Sequence, residues 1–284
     1  MINIKYIKTI ISLIKRKEKM KKTIITLTLL ASFASQAAFV SFISDSKYNI
    51  ASDDPSSETG QIVGGGEYVA SEPSDGGGNE PVVVACEGPE LTRIQLQNLI
   101  NSGSDYSKAC VSTITNFSML FMNRDVTYDI TNWDVSNGTD FSAMFEGSSF
   151  NQDISKWNVS NGIEFYAMFH NAQNFNQDIS SWNVSKGEEF GSMFRYATSF
   201  NQDISNWDVS MGYEFSSMFS FATSFNQDIS SWDVSNGYFF NEMFSNATSF
   251  NQNISGWNVS SAEGWIAFNA GSSLASENIP AKFR

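Results

Sequence analysis

The sequence is poor in the residues that most enzymes use for acid–base and metal chemistry. Its 284 residues include a single histidine, His170. A Ser-His-Asp triad requires a histidine base, and a histidine-based zinc site requires more than one such ligand. A G-x-x-x-x-G-K-[ST] phosphate-binding loop is also absent from the sequence. We therefore predict that the chain is not an enzyme and needs no cofactor.

Cysteine is almost as rare, since the chain has only Cys86 and Cys110. Two cysteines in an exported protein most simply form one disulfide bond. We predict that bond, with two free thiols or a metal site lacking further ligands as the alternatives.

Basic residues are scarce beyond the N-terminus. The first 38 residues hold eight of the 17 lysines and arginines but only one of the 30 acidic residues. The remainder therefore has nine basic and 29 acidic side chains, a net charge of −20. Nucleic acids and anionic lipids are bound through basic side chains. This imbalance argues against a nucleic-acid partner and favours the attraction of cations.

Long apolar segments are missing as well. The apolar run Thr23–Phe33 is short for a bilayer span. It follows two lysines and precedes small residues, which is the order of a secretory signal peptide. We predict a signal-peptide region in residues 1–38, with Met1–Lys19 an over-long start and Met20 the real one. The mature protein would be secreted or at the cell surface without membrane insertion, and a permanent anchor is the alternative.

The next segment, residues 39–80, is rich in Gly, Ser, Pro, Asp and Glu. Stretches such as SEPSDGGGNEP have too little apolar surface to form a core. This composition predicts a flexible acidic linker between the signal region and the folded part.

A repeat of 24 or 25 residues dominates the rest of the chain. Six units in residues 117–264 begin at Phe117, Phe141, Phe165, Phe190, Phe215 and Phe240. We call residues at equivalent places in successive units a column. Residues 81–116, which contain a helix predicted from Pro89 to Ile100 and a degenerate unit, form a predicted N-terminal cap. Residues 265–284 form the predicted C-terminal cap.

Each unit contains two periodicities. Four apolar residues have the i, i+3, i+4, i+7 spacing of a short helix, as in Phe190, Met193, Phe194 and Ala197. Trp207 and Val209 lie two residues apart and predict a short strand with both side chains facing inward. The glycine three residues after the valine, Gly212 in this unit, predicts a positive φ or a tight exit from the strand.

One unit cannot bury its apolar side chains alone, so the units are expected to stack. Stacking would make continuous aromatic columns, and the asparagines from Asn151 to Asn251 would form a hydrogen-bonded ladder. The predicted fold is an α/β repeat solenoid, leucine-rich-repeat-like, in which short parallel strands stack and short helical segments return the chain.

The FNQDISxWxVS strings, the Met-Phe pairs and the ending GSSLASENIPAKFR carry a resemblance to a known family. They resemble the bacterial surface-protein repeat of about 26 residues, also called the BspA-type leucine-rich repeat. The resemblance covers about residues 106–284 and implies an exported or cell-surface adhesin or interaction module without enzymatic residues. The chain departs from the family in two columns, with glycine in place of an apolar residue and phenylalanine in place of methionine.

The outward face of the predicted strands is the candidate binding surface. One of its columns consists of Asp134, Asn158, Asn183, Asp208, Asp233 and Asn258. We call these six residues the acidic strip, and a column of serines from Ser136 to Ser260 runs beside it. Such a strip suits a basic patch on an extracellular protein or a hydroxyl-rich glycan. An ordinary solvated face is an equally good interpretation.

A second acidic column consists of Asp153, Asp178, Asp203 and Asp228. Neighbouring carboxylates could act as an acid–base pair or bind Ca²⁺ weakly. The same aspartate in every unit is also what a repeated turn would give, and we favour the turn. Three functions follow in order: a surface binding module, a self-associating structural protein without a foreign ligand, and a glycan-active enzyme using paired aspartates.

Overall fold

The computed structural model describes residue 86 and residues 88–284, which belong to the compact unit Gly78–Arg284. The predicted signal-peptide region and linker lie outside the described residues. Helix α1 spans Arg93–Ser102, and two 3₁₀ helices span Ser276–Asn278 and Ala281–Phe283. These are the only helices among the described residues.

Helix α1 begins later than its predicted start at Pro89. Thr92 is its N-cap, and Thr92 and Gln95 form a reciprocal capping box. Gly103 ends the helix with a left-handed φ of 69°. A disulfide bond joins Cys86 to Cys110 with Cα atoms 5.2 Å apart, and it ties the chain before α1 to the first degenerate unit.

Successive repeats lie side by side and are joined by parallel β-bridges, each formed by a single pair of residues. The bridges are isolated and join Glu90 to Cys110, Asn116 to Asp140, Asp140 to Glu164, Glu164 to Glu189, Glu189 to Glu214, Glu214 to Phe239, and Phe239 to Gly264. The strand predicted at Trp207 and Val209 is therefore wrong in position. The paired residue of that unit is Glu214, directly before the next phenylalanine.

The short helix predicted from Phe190 to Ala197 is also wrong, because the segment is a run of turns. Its alternate amides bond to the next unit, as in Phe194 N–H to Met218 O at 2.9 Å. The amides between them close local turns, as in Met193 N–H to Phe190 O at 3.2 Å. Two left-handed residues four positions apart, Ser192 and Tyr196 with φ of 57° and 59°, prevent helix formation.

The side chains predicted to face inward nevertheless form the core. Phe194 and Phe200 are fully buried, and Trp207 is 3% exposed. Equivalent rings stack between units, with centroids 5.7 Å apart for Phe194 and Phe219 and 6.4 Å apart for Trp182 and Trp207. The stacking of units therefore completes the burial that one unit cannot achieve alone.

The repeated glycine is not needed to adopt a positive φ, because Gly212 does not lie in the left-handed region. A Cβ atom on Gly212 would lie 2.6 Å from the Cζ atom of Phe215 and 3.0 Å from the carbonyl oxygen of Val209. The glycine thus leaves space for the phenylalanine ring that opens the next unit.

Asparagine side chains link the units as a ladder, as predicted. Asn176 Oδ1 accepts a hydrogen bond from the backbone N–H of Asn201 at 2.9 Å, and Asn201 Oδ1 accepts one from Asn226 at 2.9 Å. Gln202 Nε2 also donates to Asn176 Oδ1 at 3.0 Å. The ladder satisfies backbone donors that neither a helix nor a continuous sheet satisfies.

Candidate functional site

The acidic strip lies in one exposed column, directly after the buried tryptophan of each unit. Each member accepts a hydrogen bond from the backbone N–H of the serine two residues on, at 3.0 Å for Asp208 and 3.1 Å for Asn183. The same bond forms in the other four units. This Asx turn engages one side-chain oxygen, which explains why both Asp and Asn occur there. The strip is thus exposed but also has a local structural role.

The second acidic column forms the same turn. Asp153, Asp178, Asp203 and Asp228 each accept a hydrogen bond from the N–H of the serine two residues on. The turn interpretation of this column is confirmed. Hydrogen bonds from these serines lower the pKa of all four carboxyl groups. No group of three or more His, Cys, Asp or Glu side chains within residues 88–284 is placed to hold a metal ion.

The single histidine lies in a column whose residue type changes from unit to unit. The column contains Glu146, His170, Arg195, Ser220 and Ser245. His170 Nδ1 lies 3.0 Å from Glu146 Oε1, and both side chains are partly exposed. Arg195 lies 4.0 Å from Glu242, two units further on. This column therefore carries polar side-chain contacts between units that the regular repeat does not specify.

A third acidic column escaped the sequence analysis. Asp140, Glu164, Glu189 and Glu214 occupy the bridge position of successive units, so their carboxyl groups lie close together and partly buried. Burial, followed by the charge of Glu189, raises the pKa of Glu164 to about 8. Burial also raises the pKa of Glu214 to about 7. The signal was present in the sequence as an acidic residue before four successive unit-opening phenylalanines.

Within the described part of the chain, few groups of opposite charge face this third column. Tyr213 Oη donates a hydrogen bond to Glu189 Oε1, and burial and that carboxylate raise the pKa of Tyr213. Arg93 interacts with Asp140 at the N-terminal end of the column, and Glu188 adds a further negative charge beside Glu164. The folded chain therefore favours the protonated form of the central carboxyl groups.

This column is expected to make the fold more stable at about pH 5 than at about pH 8. Glu164 and Glu214 bind protons more tightly when folded, so their contribution is full below the unfolded pKa and is lost as pH rises through about 7 and 8. In Glu164→Gln/Glu214→Gln the fall in melting temperature across this range should shrink. Thermal unfolding of the full chain at both pH values measures it.

Glu277→Gln is the matched control, because Glu277 is exposed and lies outside the column. It should keep the wild-type dependence on pH. An unchanged pH dependence in the double glutamine variant would show that the column does not carry it.

Three comparisons with known proteins, against family models, curated proteins and solved structures, bear on this chain. A model of the family described as "Mycoplasma protein of unknown function, DUF285" matches residues 95–197 and residues 179–280. No curated protein and no solved structure matches the chain. Within the part of the chain that the structure describes, no helix is both long and apolar enough to cross a membrane.

Proposed function

The chain belongs to the DUF285 family, and from this premise we propose that it is an exported, non-enzymatic binding module. In this proposal the stacked units form a leucine-rich-repeat-like solenoid of the BspA type at the cell surface or in the medium. The solenoid surface binds an extracellular protein or a glycan and acts in adhesion in the broad sense.

One observation carries the proposal. Residues that recur in every unit and residues that differ from unit to unit lie in different parts of the structure. The recurring residues fill the core, as Trp207 and Phe200 do, or close turns, as Asp208 does. Several of the changing residues are charged or aromatic and partly exposed, as Arg195 and Tyr196 are. A framework that repeats while exposed side chains change is suited to presenting a binding surface.

The Cys86–Cys110 disulfide supports the export part of the proposal. Disulfide bonds persist mainly in secreted and surface proteins, since the cytosol keeps thiols reduced. The bond therefore agrees with a signal peptide in residues 1–38.

The test is a screen of the full chain against extracellular proteins and glycans, with and without Ca²⁺. We expect a specific, saturable partner, and Asp208→Lys/Asp233→Lys should weaken it by about tenfold or more if the acidic strip is the contact. Asp208→Asn/Asp233→Asn is the matched control for charge, since asparagine already closes the same turn at Asn183.

The outcomes are distinct. Unchanged binding by a folded lysine variant would remove the acidic strip as the contact. A folded wild-type chain that binds nothing, but assembles with itself as concentration rises in sedimentation, would replace the binding module with a self-associating structural protein.

A further inference from the structure

The seventh residue of every unit has a left-handed backbone. The occupants are Asn123, Gly147, Asn171, Tyr196, Phe221 and Asn246 in the six units and Gly271 at the equivalent place in the C-terminal cap, with φ between 55° and 73°. Glycine and asparagine tolerate this conformation, whereas a bulky side chain in it is an outlier. The units that begin at Phe190 and Phe215 therefore hold aromatic residues where the other units hold favourable ones.

The two aromatic residues are not explained by the core, because neither belongs to the buried cluster. Tyr196 and Phe221 are partly exposed, and their rings stack with centroids 4.5 Å apart and planes 14° apart. The guanidinium of Arg195 lies over the ring of Tyr196, 5.3 Å from its centroid. Unfavourable backbone conformations that persist outside the core are typical of functional sites.

A third aromatic side chain, Tyr166, lies in the equivalent run of turns of the preceding unit, and the charge of Arg195 acts on it. Tyr166 is 43% exposed, and its ring passes so close to Gly191 that a Cβ atom there would lie 3.2 Å from Cδ2. Other units have Ser142, Ser216 or Asn241 in place of Gly191. Gly191 thus makes room for the ring of Tyr166 across the next unit. We call Tyr166, Tyr196 and Phe221 the aromatic face.

The surroundings of the aromatic face are acidic. The charge of Glu146 acts on Tyr166, and Glu242 lies 4.0 Å from Arg195. Lysine and arginine side chains pack on aromatic rings and pair with carboxylates, so this combination selects for cationic groups. Arg195 over Tyr196 already shows this contact within the chain.

We propose that the aromatic face is a docking surface for a basic, arginine- and lysine-rich segment of a partner protein. The proposal rests on the binding function proposed above and names its site and partner class. The aromatic rings provide packing surface for the cationic side chains, and the neighbouring carboxylates provide charge complementarity.

The test measures binding of an oligo-arginine peptide to the full chain at physiological ionic strength, with a glycine–serine peptide as the neutral probe. Tyr196→Asn/Phe221→Asn should reduce the affinity by about tenfold or more. The same variant should unfold at an equal or higher denaturant concentration, because Asn171 and Asn246 occupy the equivalent positions. Tyr166→Ser should also weaken binding, and serine is the residue at the equivalent position in two other units, at Ser142 and Ser216.

The matched control is Asp203→Asn/Asp228→Asn, which removes two negative charges from the second acidic column, keeps its turn because Asn253 closes the same turn, and leaves the aromatic face intact. Its affinity for the peptide should stay within about twofold of wild type at this ionic strength. An equal loss of affinity in this control would show that general charge attraction accounts for the binding, and it would overturn the proposal. Unchanged peptide binding in the Tyr196→Asn/Phe221→Asn variant would also overturn it.

Two further results separate this proposal from the broader one. If the wild-type chain does not bind the peptide but the screen finds another partner, the basic-segment proposal is wrong and the proposal of a binding module is retained. A glycan whose binding falls in Tyr196→Asn/Phe221→Asn would assign the aromatic face to sugars instead. If the folded chain binds neither the peptide nor any screened partner, both proposals fail.

Discussion

Replacing Trp207 with alanine is expected to lower the free energy of unfolding by about 3–5 kcal/mol. The indole is 3% exposed and lies between the rings of Trp182 and Phe194, with centroids 6.4 and 6.3 Å away. Its Nε1–H also donates to the carbonyl oxygen of Ile179 in the preceding unit at 3.1 Å. The substitution therefore leaves a cavity and removes a hydrogen bond between two units.

Trp207→Phe is the matched control, because it keeps an aromatic ring and removes the indole donor. Its cost should be smaller, about 1–3 kcal/mol, since the Ile179 carbonyl loses its partner but most of the volume is filled. Denaturant unfolding of the full chain followed by circular dichroism measures both. Equal costs for the two variants, or a cost below about 1 kcal/mol for alanine, would contradict the role of this column in joining units.

Replacing Gly237 with alanine is expected to destabilise the fold by about 1–3 kcal/mol. The new Cβ atom would lie 2.2 Å from Cζ and 2.6 Å from Cε2 of the fully buried Phe240, and 3.0 Å from the carbonyl oxygen of Val234. The rigid ring has no free space to move into, because it stacks on Phe215 with centroids 5.3 Å apart.

A second substitution, Phe240→Met, should relieve much of this cost. Methionine is narrower and more flexible than phenylalanine, so it can make room for the added methyl group. In a double-mutant cycle the coupling between the two positions should be favourable by about 0.5–3 kcal/mol. Additive costs in denaturant unfolding would show that the glycine is required for another reason.

The sequence predicts which side chains face inward better than it predicts the local backbone. The spacing of Phe190, Met193, Phe194 and Ala197 identifies four buried residues. The same spacing fits both a helix and a run of turns that contains two left-handed residues, four positions apart. At the third position of each unit, small residues such as Ser192 and Ala167 adopt this conformation, so no glycine marks that position. The helix and the strand position were therefore wrong although the core was right.

Part of the candidate site could likewise be predicted from the sequence, and part could not. The exposure of the acidic strip follows from its place next to the buried tryptophans, and the serine two residues after each member is a signal for its turn. The column that contains Glu164 and the aromatic face were missed for different reasons. The carboxyl column requires knowledge of which residues pair between units, and the aromatic face depends on single departures from the repeat.

The central claim is that a regular stack of units holds an irregular exposed surface for a basic partner. Amide hydrogen exchange of the full chain, with and without the oligo-arginine peptide, tests it most directly. The account predicts slower exchange on binding at Arg195, Tyr196 and Phe221. Slower exchange centred on Asp208 and Asp233, or no change at saturating peptide, would contradict it.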